Sequence, residues 1–121
     1  MFTITSHLTF DAGLDFSNFD NLKDPLKKSI ADSLPNVDIS MINLHFKNVT
    51  ARLRRLIGTI VYVIITIKEK NVAEETRNQL TTNVTSFIST MAKKINQTEA
   101  LRDAGVVVKS VENVTYTGPG K

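Results

Sequence analysis

The 121-residue chain contains no cysteine and no tryptophan. Without cysteine there can be no disulfide framework, no thiol nucleophile and no thiolate metal site. Histidine occurs only at His7 and His45, which removes most imidazole-based metal and acid–base constellations. Glycine and proline are sparse, and no glycine-rich phosphate loop occurs. Neither sign of charge dominates: 15 Lys and Arg against 12 Asp and Glu leave +3, too weak an excess to make a nucleic-acid face unless it is clustered. The longest apolar run, Leu56 to Ile67, is broken by Gly58, Thr59 and Thr66 and is too short to span a bilayer. Its β-branched content reads as a buried strand instead. Phe2 to Phe10 alternates where a signal peptide would be continuously apolar, so a secreted form of this domain is expected to be part of something longer.

What is present is ordinary globular material, 41% hydrophobic and 22% charged, enough for one core. Phe2, Ile4, Leu8 and Phe10 alternate with Thr3, Thr5, His7 and Thr9, which predicts a half-buried first strand. Asp24-Pro25 has the form of a cap followed by a first-turn proline; Leu26, Ile30 and Leu34 supply the apolar stripe, and Pro35-Asn36 stops the helix. Val37 to Phe46 predicts a second strand whose change of parity calls for a β-bulge near Met41. Thr59 to Lys68 predicts a third strand. Asn71 and Glu74 form a capping pair for a long helix, with Leu80, Val84, Phe87, Ile88, Met91 and Ile95 on one stripe to about Asn96. Val106 to Tyr116 closes the series.

Strand, helix, hairpin, helix and strand in this order predict an α+β domain of ferredoxin-like βαββαβ type, with a four-stranded antiparallel sheet and two helices on one face. The domain is expected over residues 1–116, with 117–121 a linker-like tail. The opposite sheet face then carries Thr3, Thr5, His7, Thr9, Ile60, Tyr62 and Ile64, and any partner is expected there or along an edge strand. An RNA-binding sheet of this topology would show aromatics on its first and third strands; the third strand here has only Tyr62. The two histidines fall on strands that this order does not pair, and no metal site or cofactor is expected. Asp24, Glu74 and Glu75 are read as charges favoured at helix N-termini.

Two features of the second hairpin stand apart. Arg52-Leu53-Arg54-Arg55 fits the pattern cut by secretory-pathway processing proteases, with a solvated basic turn as the competing account. Directly after it, Gly58-Thr59 leads into Ile60-Val61-Tyr62-Val63. This segment resembles the Gly-Ser-Val-Val-Val strand start of SEA domains, extracellular modules of mucin-like and adhesion proteins, and the order of elements resembles theirs over most of the chain. The stretch from Arg54 through Ile67 is also similar to related domains in surface proteins of single-celled eukaryotes. The resemblance implies a non-catalytic extracellular module and, in its self-cleaving members, an N-to-O acyl shift at the Gly-Ser bond. Thr59 would supply the hydroxyl here, although it replaces serine and is stiffer at χ1.

Four triplets are formal N-glycosylation acceptors, at Asn48, Asn83, Asn96 and Asn113. Ten asparagines and 22 serines plus threonines would give roughly two by chance, so four is a mild excess. Asn48 on a hairpin and Asn96 opposite the helix stripe are expected to be accessible, Asn83 and Asn113 less so. Together these features predict a structural or association module of a larger cell-surface or matrix protein, with protein partners or self-association, no nucleic acid and no membrane insertion. The alternatives are a ring-building oligomerisation domain of an intracellular or envelope assembly, and a small enzyme on an oligomeric sheet.

Overall fold

The structure is a computed structural model that describes residues 1–10, 19–50, 56–103 and 105–118. Strand β1 (Phe2–Phe10) follows its alternation: Ile4, Ser6, Leu8 and Phe10 are buried, while Thr3, Thr5, His7 and Thr9 are half-buried on the other side. Strand β3 (Leu56–Ile67) buries Val61, Val63, Ile65 and Ile67. It lies against β1 without a slip from Phe2↔Ile67 to Phe10↔Thr59, so Ile4 meets Ile65 and Leu8 meets Val61 in the core. Strand β2 (Ile42–Thr50) pairs on the far side of β3, and β4 (Val108–Thr117) on the far side of β1. The resulting four-stranded antiparallel sheet has the order β2-β3-β1-β4, and with its helices gives the α+β architecture expected.

Helix α1 (Phe19–Ser33) crosses from β1 to β2, and helices α2 (Lys70–Leu80), α3 (Val84–Gln97) and α4 (Glu99–Asp103) from β3 to β4. Their apolar stripes, including Leu26 and Ile30, Ala73 and Leu80, Phe87 and Met91, and Leu101, share one buried cluster with the core face of the sheet. Among the described residues, no helix is long and apolar enough to cross a membrane.

Helix α1 starts earlier than Asp24-Pro25 predicts. Pro25 lies inside it and Asp24 is not its cap. An interior proline forfeits a backbone bond and crowds the preceding turn, at about 3 kcal/mol. Starting at Phe19 adds a turn in which Leu22 extends the Leu26–Ile30 stripe into the core, and burying a leucine contributes about 2 kcal/mol toward that cost. The helix ends as expected: beyond Pro35, Asn36 takes a left-handed conformation (φ 61°) that asparagine tolerates.

The parity change before β2 comes from a 3₁₀ turn and not from a β-bulge. Residues Ile39–Met41 form that turn, closed by Met41 N–H donating to the Asp38 carbonyl, and the strand begins only at Ile42. Ser40 Oγ donates to the Asp38 carboxylate at 2.6 Å, a short-range bond that competes with extended backbone.

The long helix predicted from Asn71 to about Asn96 is two helices. At Thr81-Thr82-Asn83 the chain turns, with Asn83 N–H reaching back to the Asn78 carbonyl at 2.9 Å. Two β-branched residues followed by asparagine are poor helix formers, and Thr81 Oγ1 adds a side-chain bond to the Arg77 carbonyl. The cap of α2 is Glu69, which makes no side-chain capping bond; Asn71 lies inside the helix, and Glu74 and Glu75 lie beyond its first turn. Helix α4, which the apolar pattern did not announce, ends in a Schellman turn. Gly105 takes φ 71°, Gly105 N–H donates to Arg102, and Val106 N–H donates to Leu101.

Strand β4 solves a patterning problem. Its apolar residues, Val108, Val111, Val114 and Tyr116, fit no single parity, yet all belong to the core or pack against it. Two bulges reconcile them. Lys109 is the extra residue between the Phe10↔Val108 and Thr9↔Ser110 pairs. Asn113 and Val114 together oppose Ser6, between the His7↔Glu112 and Thr5↔Thr115 pairs. Asn113 has φ 53°, the left-handed position that glycine usually fills in a bulge of this kind.

Candidate functional site

The sheet face away from the helices is the surface that register builds into a site. Opposite residues share a face, so His7 sets up a row across all four strands: His45, Tyr62, His7, Glu112. The next row runs Asn43, Ile64, Thr5, Thr115. On the other side, Ile60 opposes Thr9 and Thr9 opposes Ser110. Ile60, Tyr62, Ile64 and His7, the residues expected to form a partner face, therefore do lie together, half-buried at the middle of the sheet.

Contacts within the row are specific. The His7 and Tyr62 rings meet edge to face, 4.5 Å between centroids and 90° between planes, an arrangement worth about 1 kcal/mol beyond burial. Asn113 Nδ2 lies 3.1 Å from His7 Nδ1 and donates to it when that nitrogen is unprotonated. Thr9 Oγ1 is hydrogen-bonded to Ser110 Oγ and also donates to the Ser110 carbonyl at 3.3 Å, tying β1 to β4 beside the first bulge. On the helical side of β4, Arg77 of α2 places its guanidinium 5.1 Å from the Tyr116 ring centre, and Phe2 packs on the same ring.

His7 and His45 sit on strands that do not pair, as expected, but they flank the same tyrosine. Two strand spacings, about 10 Å, separate them, far beyond the reach of one shared metal ion. Among the described residues no group of three or more His, Cys, Asp or Glu is placed to hold a metal. Every buried side-chain nitrogen or oxygen that is described has a hydrogen-bond partner.

The sequon asparagines are spread over the molecule. Asn96 is exposed near the end of α3. Asn83 and Asn113, expected to be less accessible, are exposed too: Asn83 because the helix breaks there and leaves it as the N-cap of α3, Asn113 because the bulge turns it out of the strand pattern. Asn48 lies in β2 opposite Thr59, and its side chain lies outside the described set. Gly58-Thr59 falls within β3 and not at its start. Gly58 pairs with Val49, and the register slips immediately before it, between Val49↔Gly58 and Thr50↔Leu56, which leaves Ile57 as an extra residue. The basic segment Arg52, Arg54 and Arg55 lies outside the described residues, as does the tail from Pro119 onward.

Sequence reasoning missed three things. It did not place His45 and Glu112 in the row, because that requires the register; it did not find the left-handed Asn113; and it did not find an open groove of about 710 Å³ at one end of the sheet. Asn36, Met41, Asn43, Lys68 and Val72 line that groove together with Met1. Compared with protein-family models, with curated proteins and with solved structures, the chain matches none of them.

Proposed function

We propose that this chain is a non-catalytic extracellular module, of SEA-like and ferredoxin-like kind, that serves as a structural or association unit of a larger cell-surface or matrix protein. The observation that carries the proposal is the exposure of Asn83, Asn96 and Asn113 at three separate places, a helix break, a helix end and a strand bulge. A sequon is useful only where a bulky, polar glycan can project into solvent. All three of these asparagines meet that condition, including the two whose neighbouring sequence argued against it. The bulge directly before Gly58-Thr59 adds a local irregularity at the bond where SEA-type cleavage would occur.

Association, in this proposal, runs along β2. The other edge, β4, is blunted by two bulges and by exposed Lys109 and Glu112. Strand β2 contains no proline and pairs with β3 without a slip from Ile42 to Val49, which leaves a regular outer edge for another strand. This same observation favours the alternative of an oligomerisation domain. Fractionation of the native protein together with glycosidase digestion separates the two. The extracellular proposal expects glycan at one or more of the four sequons; a native protein that is cytosolic and carries none would overturn it. Lysines at the exposed Asn43 and His45 should weaken concentration-dependent self-association in sedimentation velocity. Unchanged sedimentation, or a wild-type chain that stays monomeric and binds no strand, would remove β2 from the account.

A further inference from the structure

We propose that Asn113 is a carbohydrate attachment site built into the sheet by its bulge, and that the attached glycan lies across the His7–Tyr62 row of the open face. This rests on the extracellular proposal above. A sequon inside a regular strand presents its asparagine among cross-strand neighbours whose Cβ atoms lie about 5 Å away. At Asn113 the left-handed backbone (φ 53°) and the two-against-one pairing with Ser6 break that regularity, and both Asn113 and Thr115 are exposed. Glycine is the usual residue for such a turn of the backbone, and asparagine is among the few others that tolerate it. Asparagine at 113 therefore meets the demand of the fold and adds what glycine lacks, an amide that can be modified.

The amide is already aimed across the face. Its Nδ2, which carries two hydrogens, lies 3.1 Å from His7 Nδ1. In the modification, Nδ2 forms a bond to the anomeric carbon of an N-acetylglucosamine carried on a lipid pyrophosphate. The bond from that carbon to the pyrophosphate oxygen breaks, the lipid pyrophosphate leaves with the electron pair, and one amide proton is lost. One hydrogen remains on the substituted amide nitrogen.

From Asn113 the carbohydrate has an apolar platform to follow. The His7 ring is held edge to face against Tyr62, and Ile60 and Ile64 flank Tyr62 along β3, all half-buried and facing outward. From β4 to β3 is two strand spacings, about 10 Å, which the first two sugar rings of a glycan can cover. The C–H faces of these pyranoses pack on aromatic and aliphatic side chains, and their hydroxyls remain in water. The row would then be covered by the chain's own glycan, leaving the β2 edge for protein partners.

The test uses the full chain secreted from a eukaryotic host, with glycopeptide mapping at all four sequons and nitration of Tyr62 by tetranitromethane as the probe of the face. Asn113→Gly is the comparator, because it keeps the left-handed backbone and removes the sequon. The expected result is occupancy at Asn113 and nitration of Tyr62 that is severalfold slower than in Asn113→Gly. Glycan at Asn83 or Asn96 with Asn113 bare overturns this inference and leaves the extracellular proposal standing. Bare asparagines throughout overturn both. Occupancy at Asn113 with equal nitration rates in the two proteins overturns the placement of the glycan over the row.

Discussion

Substitutions at Asn113 distinguish a left-handed bulge from an ordinary strand position because the two demand opposite preferences. Holding alanine at φ 53° costs about 1 kcal/mol relative to a residue that tolerates that region. Losing the exposed Asn113–His7 hydrogen bond adds about 0.5 kcal/mol. Asn113→Ala should therefore destabilise by about 1.5 kcal/mol, or about 6 °C in Tm for a chain of this size. Asn113→Gly loses the same hydrogen bond but none of the backbone tolerance, and should stay within about 1 kcal/mol of the parent. Asn113→Val brings a β-branched side chain to the left-handed region and should cost more than about 2 kcal/mol. In a regular exposed strand the order would reverse, with valine best and glycine worst. Thermal and urea unfolding of bacterially produced, unglycosylated protein isolates the backbone effect. A ranking of Val above Ala above Gly would refute the bulge and everything built on it.

Phe87 is buried in the first turn of α3, so Phe87→Ala should cost about 3–5 kcal/mol in urea unfolding, whereas Ser86→Ala on the exposed side should be near neutral. Pro25→Ala should stabilise by about 1–2 kcal/mol, because it restores a bond inside α1 that a first-turn proline would not have interrupted; no gain in Tm would return the helix start to Pro25. The Asp38 carboxyl is held below its ordinary range, first by the Ser40 hydroxyl and then by the Ser40 backbone N–H. Its contribution to stability is present above the unfolded-state pKa and is lost as pH falls through the lower folded value. Carboxyl NMR titration should show the low midpoint, and Ser40→Ala should raise it; an unchanged midpoint in the variant would remove the hydroxyl as cause.

Where one physical signal dominated, the sequence was legible. The alternation in β1 and the apolar run of β3 named the buried faces, and from them came the open face with Ile60, Tyr62, Ile64 and His7. Where two signals overlapped, it misled. The stripe from Leu80 through Val84 to Phe87 continues across the α2–α3 break, so periodicity alone could not see that Thr81-Thr82-Asn83 turns the chain. Asp24-Pro25 looks like a helix start because proline is favoured there, and only Leu22 in the core shows why the helix begins earlier. In β4 the spacing of Val108, Val111, Val114 and Tyr116 carried a trace of the two bulges, since no unbroken strand could bury all four. Which residue would take the left-handed position was not written in that spacing. The His45–Tyr62–His7–Glu112 row was illegible for another reason: it depends on the register of three strand pairs, and no local pattern encodes register.

The most direct test of the central proposal is the intact mass, under denaturing conditions, of the chain secreted from a eukaryotic host. An extracellular module with exposed Asn83, Asn96 and Asn113 should run above the mass of the bare polypeptide by glycan increments that a peptide N-glycosidase removes. Cleavage at Gly58-Thr59 would add two fragments that sum to the whole plus one water, and a cut after Arg55 would mark a processing protease instead. A single species at the mass of the bare polypeptide would contradict the extracellular proposal and the Asn113 inference together.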